Sequence, residues 1–301
     1  MRKPHPIPTG GTIRFVSPAN HVELKDISDA TSTFESAGYK VQFGKHVFDR
    51  YQTYAGCDEH RASDIMEAFL DPEVDAVVCS RGGYGSARLI PYLDLEQIAA
   101  SSKPFFGFSD VTSLHLAINR RGLATYYSPM GGSLGPSRPP CVRESLLRAF
   151  AGQDPLAVRC RPGDCVVPGK AMGISSGGCL TLVVDSLGTP DAVITEGRIL
   201  FLEDVSEKPH RVDASLTHLL LAGKIQECAG IVIGEMTETN SLRDIEKGSP
   251  TWEEIVRERI SPLGIPTIVN FPFGHIEDLL TIPLGVELEL NADQGTIRMV
   301  S

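Results

Sequence analysis

In FFGFSDVTSLHLAI, residues 105–118, a single serine stands between two aromatic-glycine steps and an acid. An apolar strand pattern runs there into a helical one, so Ser109 falls at a tight strand-to-helix turn. A hydroxyl at such a corner can be exposed beyond the carboxyl end of a parallel sheet. The N–H of the next residue, Asp110, then points into the same space, as in a nucleophile elbow. GFSDV departs from that motif at its fifth position, and Ser109 or Asp110 could instead cap the following helix. A second turn, RGGYGSARL at residues 81–89, also follows an apolar strand and is expected beside the first, ahead of a helix with Leu89 and Leu93 inward. Its clustered glycines permit close backbone approach and leave N–H groups for an oxyanion or anion nest. It matches neither the dinucleotide nor the P-loop fingerprint; the alternative is a plain tight turn.

A serine nucleophile needs a base, because its hydroxyl is hardly ionised at neutral pH. Of the eight histidines, His5, His21, His46 and His60 lie in a terminal segment, loops or polar helix positions and read as solvated surface. His115 is six residues along the helix from Ser109 and should project away from the turn, in a structural role. His210 and His218 flank and occupy another helix. His275, in NFPFGHIEDLLTIPLG, sits in a non-helical segment directly after a strand, where reacting groups concentrate. A base in turn needs an orienting carboxylate. ILFLEDVSEKPHRVD brings Glu203 and Asp204 to the end of an apolar run, where a carboxylate is costly unless paired. A histidine ring is one such partner; Arg211 or a solvent-facing strand end is the alternative.

The elements that must position these groups follow a βα rhythm in the first half, predicting a mainly parallel sheet flanked by helices. TIRFVSPA is the first strand, and Ile27, Ala30, Phe34 and Ala37 mark a helix that Gly38 stops. Residues 58–72 form a second helix, Val74–Cys79 a central strand buried on both faces, and Val111, Leu114 and Ile118 the stripe of the helix after Ser109. This N-terminal α/β domain spans residues 1–152. Residues 153–170, rich in Pro and Gly, form a linker or peripheral hairpin. A C-terminal β-rich α/β domain over residues 171–301 carries Glu203 and His275 and closes with a hairpin turning at 291–295.

With 42% hydrophobic residues and a length of 301, the chain can bury a sizeable core. A net charge of −10 without long charged runs disfavours nucleic acid. The proline-rich start lacks the apolar stretch of a signal peptide, and no later run approaches the ~18 apolar residues of a membrane span. The expectation is a cytoplasmic protein without a membrane partner. Seven cysteines without a CxxC pair indicate neither a disulfide framework nor a zinc knuckle.

Taken together, VSPA, the long stretch YAGCDEHRASDIMEAFLDPEVDAVVCSRGGYGSARLIPYLD, GFSDVTSLHLAI, GGCLTLVVDSLGTP, ILFLEDVSEKPHRVDASLTHL and FGHIEDLLTIPLG resemble, in order, the LD-carboxypeptidase family of serine peptidases, which includes the microcin C immunity proteins. The resemblance implies a Ser-Glu-His triad of Ser109, Glu203 and His275, and an oxyanion hole of the N–H groups of Asp110 and of a glycine in the 82–83 pair, taken as Gly83. It implies an active site between two domains, a homodimer, no cofactor and no metal. The implied substrate is murein tetrapeptide, which loses its terminal D-alanine. Two positions depart from the family pattern: Cys179, where Asn is usual, and Ser128, where Gly commonly precedes the proline. One alternative is an immunity-type amidase acting on peptidyl or aminoacyl nucleotide analogues, with a contribution from residues 235–244 and an aromatic to stack on the base. Others are a non-catalytic binding protein, whose triad residues would be scattered, and a glutaminase-type enzyme using Cys79.

Overall fold

The computed structural model describes residues 1–241 and 245–300. Residues 242–244, the end of the loop considered for nucleotide contacts, lie outside them. The chain forms two compact units, residues 1–158 with 280–285, and residues 159–279 with 286–301. Among the described residues no helix is long and apolar enough to cross a membrane.

The first unit is built on β1 (Thr12–Val16), β2 (Lys40–Phe43), β3 (Ala76–Cys79), β4 (Phe105–Gly107) and β5 (Thr125–Tyr127), all parallel. Every residue of β3 is buried, as expected of a strand covered on both faces. The sheet order is β11-β5-β4-β3-β1-β2, where β11 (Ile282–Leu284) joins antiparallel to β5. That return of the chain to the first sheet from residue 280 has no signature in local sequence.

Between strands run α1 (Leu24–Ser36), α2 (Asp58–Leu70), α3 (Leu95–Ser101), α4 (Thr112–Arg120) and α5 (Pro140–Phe150). A reciprocal cap between Glu23 and Asp26 starts α1. Its Phe34 meets Phe150 of α5 at 5.3 Å, and Phe150 stands edge-on to Phe106 of β4 at 4.8 Å. Helix, sheet and helix thus share one aromatic core beneath the strand that delivers Ser109. The glycine turn is followed by a 3-10 helix, Ser86–Tyr92, with Leu89 buried and Leu93 only half-buried beyond its end. Pro91 within it has no N–H to continue a ladder.

The second unit carries a seven-stranded mixed sheet of order β13-β12-β7-β8-β9-β10-β6. Its members are β6 (Asp164–Val167), β7 (Lys170–Cys179), β8 (Arg198–Val205), β9 (Gly230–Thr237), β10 (Thr267–Val269), β12 (Glu287–Asn291) and β13 (Thr296–Met299). β7 to β10 run parallel, while β6 and the β12–β13 hairpin pair antiparallel at the two edges. Its helices include α6 (Leu180–Asp185), α7 (Pro209–Leu221) and α8 (Trp252–Ile260). Trp252 is buried. The run 199–202 in β8 is wholly buried, so the next two residues, Glu203 and Asp204, arrive at the end of a rigid central strand.

Candidate active site

Where β4 ends, Phe108 is still extended, but Ser109 turns into the left-handed region with φ 64°. A non-glycine residue there costs about 1–3 kcal/mol and persists only where its surroundings over-determine it. They do so on both sides of the peptide. The Ser109 N–H donates to the Tyr127 hydroxyl at 3.0 Å, and its carbonyl accepts the Thr112 hydroxyl at 2.7 Å. The N-cap positions of the 3-10 turn and of α4 fall on Phe108 and Val111, not on Ser109 or Asp110.

Asp110 instead reaches across to the glycine turn. Its buried carboxylate accepts the N–H of Ser86 at 2.8 Å and of Gly85 at 3.3 Å, and the Ser86 hydroxyl donates to its carbonyl at 2.5 Å. Burial pushes the Asp110 carboxyl above the usual carboxylate range, although the Ser86 and Gly85 donors pull the other way. The two turns are thereby locked together. A Cβ on Gly82 would stand 3.0 Å from Ser109 Cβ and 3.2 Å from its Oγ, and one on Gly83, at φ 120°, would overlap the Asn20 amide at 2.4 Å. Only bare backbone fits at these two positions, and at Gly82 it runs directly beside the serine. Asp110 lies in the first turn of its 3-10 helix, where N–H groups have no partner within the helix.

The second unit supplies a carboxylate-imidazole pair. Glu203 is fully buried, and its Oε2 accepts both the His275 ring Nδ1–H at 2.7 Å and the His275 backbone N–H at 3.2 Å. Gly274, at φ 105°, makes this approach possible: a Cβ there would come within 2.4 Å of Glu203 Oε2. Burial opposes a charge on the ring. The hydrogen bond and charge of Glu203, with Asp204 and Glu238 further off, outweigh that, so the His275 pKa lies above the ordinary 6.5. With Nδ1 engaged, Nε2 is the atom that accepts a proton. The neighbouring Asp204 points to the other face of the strand. There it accepts Thr181 N–H at 2.9 Å and Thr181 Oγ1–H at 2.8 Å at the start of α6, and Cys179 Sγ–H at 3.4 Å. Arg211 pairs with Glu207, at 3.9 Å, not with Glu203. Arg161 holds the His275 loop by bonds to Asp278 and Glu235, each 2.8 Å, and to the Asn270 carbonyl.

Ser109 with Gly83 and Asp110 therefore belongs to one unit, and the bonded Glu203–His275 pair to the other. His115 is buried, its ring between the Thr125 hydroxyl and the Gly107 carbonyl at 2.9 Å each; burial lowers its pKa to about 4. Cys79 is buried, and burial with the nearby Asp110 charge raises its thiol pKa so far that it is a poor nucleophile. Ser128 is buried, with its N–H on the Gly107 carbonyl at 3.0 Å.

Sequence reasoning missed Tyr127, Asn20 and Arg61. Arg61 is 1% exposed and bonds to the carbonyls of Pro18 and Gly85 and to Asp58, carrying α2 to the glycine turn. Its signal was available, since it shares the buried stripe of α2 with Ile65, Ala68 and Phe69. A charge on an apolar stripe requires partners.

Two family models match the chain: the LD-carboxypeptidase N-terminal domain at residues 13–128 and the LD-carboxypeptidase C-terminal domain at residues 172–290. A Bacillus subtilis protein named "Probable murein peptide carboxypeptidase" is 32% identical over 98% of this chain and 93% of its own length. The murein tetrapeptide carboxypeptidase of Pseudomonas aeruginosa is 31% identical over 89% of each. Among solved structures, the muramoyltetrapeptide carboxypeptidase of Oxalobacter formigenes superposes with a TM-score of 0.83 at 28% identity, covering 96% of this chain and 97% of that one. The microcin C7 self immunity protein MccF, in complex with aspartyl sulfamoyl adenosine, shares the fold at 0.87 and 23% identity, over 100% and 99%. The chain belongs to the LD-carboxypeptidase family.

Proposed function

We propose that this protein is a serine carboxypeptidase that releases the terminal D-alanine of murein tetrapeptide at its L,D-type amide bond, in cytoplasmic peptidoglycan recycling and as a homodimer. The observation that carries the reading is the Glu203–His275 bond of 2.7 Å at a histidine whose pKa is raised. A left-handed Ser109 beside the Gly82–Gly83 backbone adds to it, as do the names of the relatives that resemble the chain along its length.

In this reaction Ser109 Oγ attacks the scissile carbonyl carbon while His275 Nε2 takes its proton. Glu203 holds the imidazole with Nδ1 protonated and favours the imidazolium that forms. The Gly83 and Asp110 N–H groups receive the developing oxyanion; one such donor is worth about 2.7–4 kcal/mol. Collapse breaks the C–N bond, the imidazolium returns its proton to the leaving amine of D-alanine, and water then hydrolyses the acyl-serine by the same steps in reverse. The reading requires Ser109 Oγ and His275 Nε2 to come within hydrogen-bond reach during turnover.

Incubating the parent and its Ser109→Ala variant with meso-diaminopimelate tetrapeptide and measuring D-alanine tests this. Release by the parent alone is expected; release by both refutes the nucleophile. Silence from both, with cleavage of an aminoacyl sulfamoyl nucleoside, would establish the immunity-type amidase instead. That second reading is favoured by the fold shared with the MccF complex. Buried Trp252 does not serve it as a surface for stacking a base.

A further inference from the structure

We propose that His46, Asp49 and His60 form a binding site, on the first unit, for a borderline divalent transition-metal ion of the zinc and nickel kind. Sequence reading places the two histidines among solvated surface residues, yet the fold stacks their rings with centroids 3.9 Å apart and planes 20° from parallel. One ligand atom from each residue lies within 4.8 Å of the others. Both Nδ1 atoms converge on Asp49 Oδ2, at 2.7 Å from His46 and 3.4 Å from His60. Neighbouring ligand atoms around zinc at its usual bond lengths of about 2.0–2.2 Å stand roughly 3.3–3.5 Å apart. An ion therefore enters by small side-chain rotations.

The surroundings are arranged as a support shell would be. The His46 N–H donates to Asp64 Oδ2 at 2.9 Å; that carboxylate is 2% exposed, and its Oδ1 has no hydrogen-bond partner. The Asp49 N–H donates to the His46 carbonyl at 3.0 Å. A Cβ on Gly56 would touch Asp49 Cβ at 3.3 Å and His60 Cβ at 3.6 Å, so backbone packs against both ligands. Asp49 and His60 are 44% and 51% exposed at their side chains, which gives an ion access from water.

Two imidazoles and one carboxylate select borderline ions over magnesium or calcium, which favour all-oxygen sets. Water would complete the coordination. The ion would fasten residues 46–49 to the first turn of α2. The intervening Tyr54 lies under Arg61 and Arg88, at 4.9 and 5.3 Å, and a Cβ on Gly85 would meet its ring at 2.9 Å. The site lies apart from the groups of the proposed chemistry.

The test is calorimetric titration of chelator-treated full-length protein with zinc chloride, nickel chloride and, for comparison, magnesium chloride. It uses the parent, His46→Gln, His60→Gln and the double variant, each checked for its native far-ultraviolet spectrum. One equivalent is expected to bind the parent, with affinity reduced at least about tenfold in each single variant and binding lost in the double variant. Zinc should raise the melting temperature of the parent and not of the double variant. Absence of binding to the parent, affinity equal for magnesium, or undiminished binding in the double variant, which would assign the ion to thiols or to His275, each overturns the proposal. None of these readouts depends on peptidase activity.

Discussion

Replacing Gly274 by alanine tests how the carboxylate-imidazole pair is built. At φ 105° an alanine is strained wherever it finds space, and here its Cβ would sit 2.4 Å from Glu203 Oε2 and 2.7 Å from Glu203 Cβ and Cγ. Relieving those contacts needs a displacement of about 1 Å, since ordinary carbon contacts begin near 3.5 Å. The backbone strain is worth about 1–3 kcal/mol. Loosening the charge-assisted bond from His275 to a buried carboxylate adds about 1.5–3 kcal/mol. We expect destabilisation of about 3–5 kcal/mol, read by urea unfolding, and a loss of about 100-fold in kcat/KM from a displacement of that size. The sharper readout is the His275 titration followed by NMR. In the parent, Glu203 holds the pKa above 6.5 against the effect of burial. With Oε2 displaced and burial retained, the pKa must fall. On the proposed mechanism His275 acts as a base when neutral, so the acid limb of the parent pH-rate profile is expected to be raised along with the His275 pKa and to move to lower pH in the variant. A variant with an unchanged His275 pKa and activity within twofold of the parent would refute this account.

Asp110→Ala leaves the buried Gly85 and Ser86 N–H groups without their acceptor, while removing a costly buried carboxylate. The net loss should be about 2 kcal/mol, with kcat/KM falling at least about tenfold as the glycine turn loosens beside Ser109. Parent-like denaturation and kinetics would show that the carboxylate does not tie the turns together. His115 is held neutral, with a folded pKa of about 4 against 6.5 for the free side chain, so unfolding takes up a proton between those values. Its contribution is present above pH 6.5 and is lost as the pH falls toward 4, about 3 kcal/mol over that window. His115→Gln should flatten the stability profile there, and an unchanged slope in urea melts from pH 7 to 4 would contradict it.

What the sequence by itself determined was local. The strand-helix alternation, the buried β3, the stripe of α4 and the corner at Ser109 are written in apolar periodicity and in glycine placement, because pleat and helix repeat at fixed residue intervals. The same logic singled out His275 as a histidine outside any helix and Glu203 and Asp204 as carboxylates on a buried strand. It could not choose between those two acids. The family resemblance named Glu203 for the triad; the structure adds that the two acids have different partners, and that Gly274 lets a loop about seventy residues on close over Glu203 while Asp204 holds the start of α6. Nor could local pattern reveal that β11 returns to the first sheet, that Asp110 ties two turns instead of capping a helix, or that His46 and His60 stack on one aspartate. Each depends on contacts between residues far apart in the chain, and only the packed fold brings those residues together.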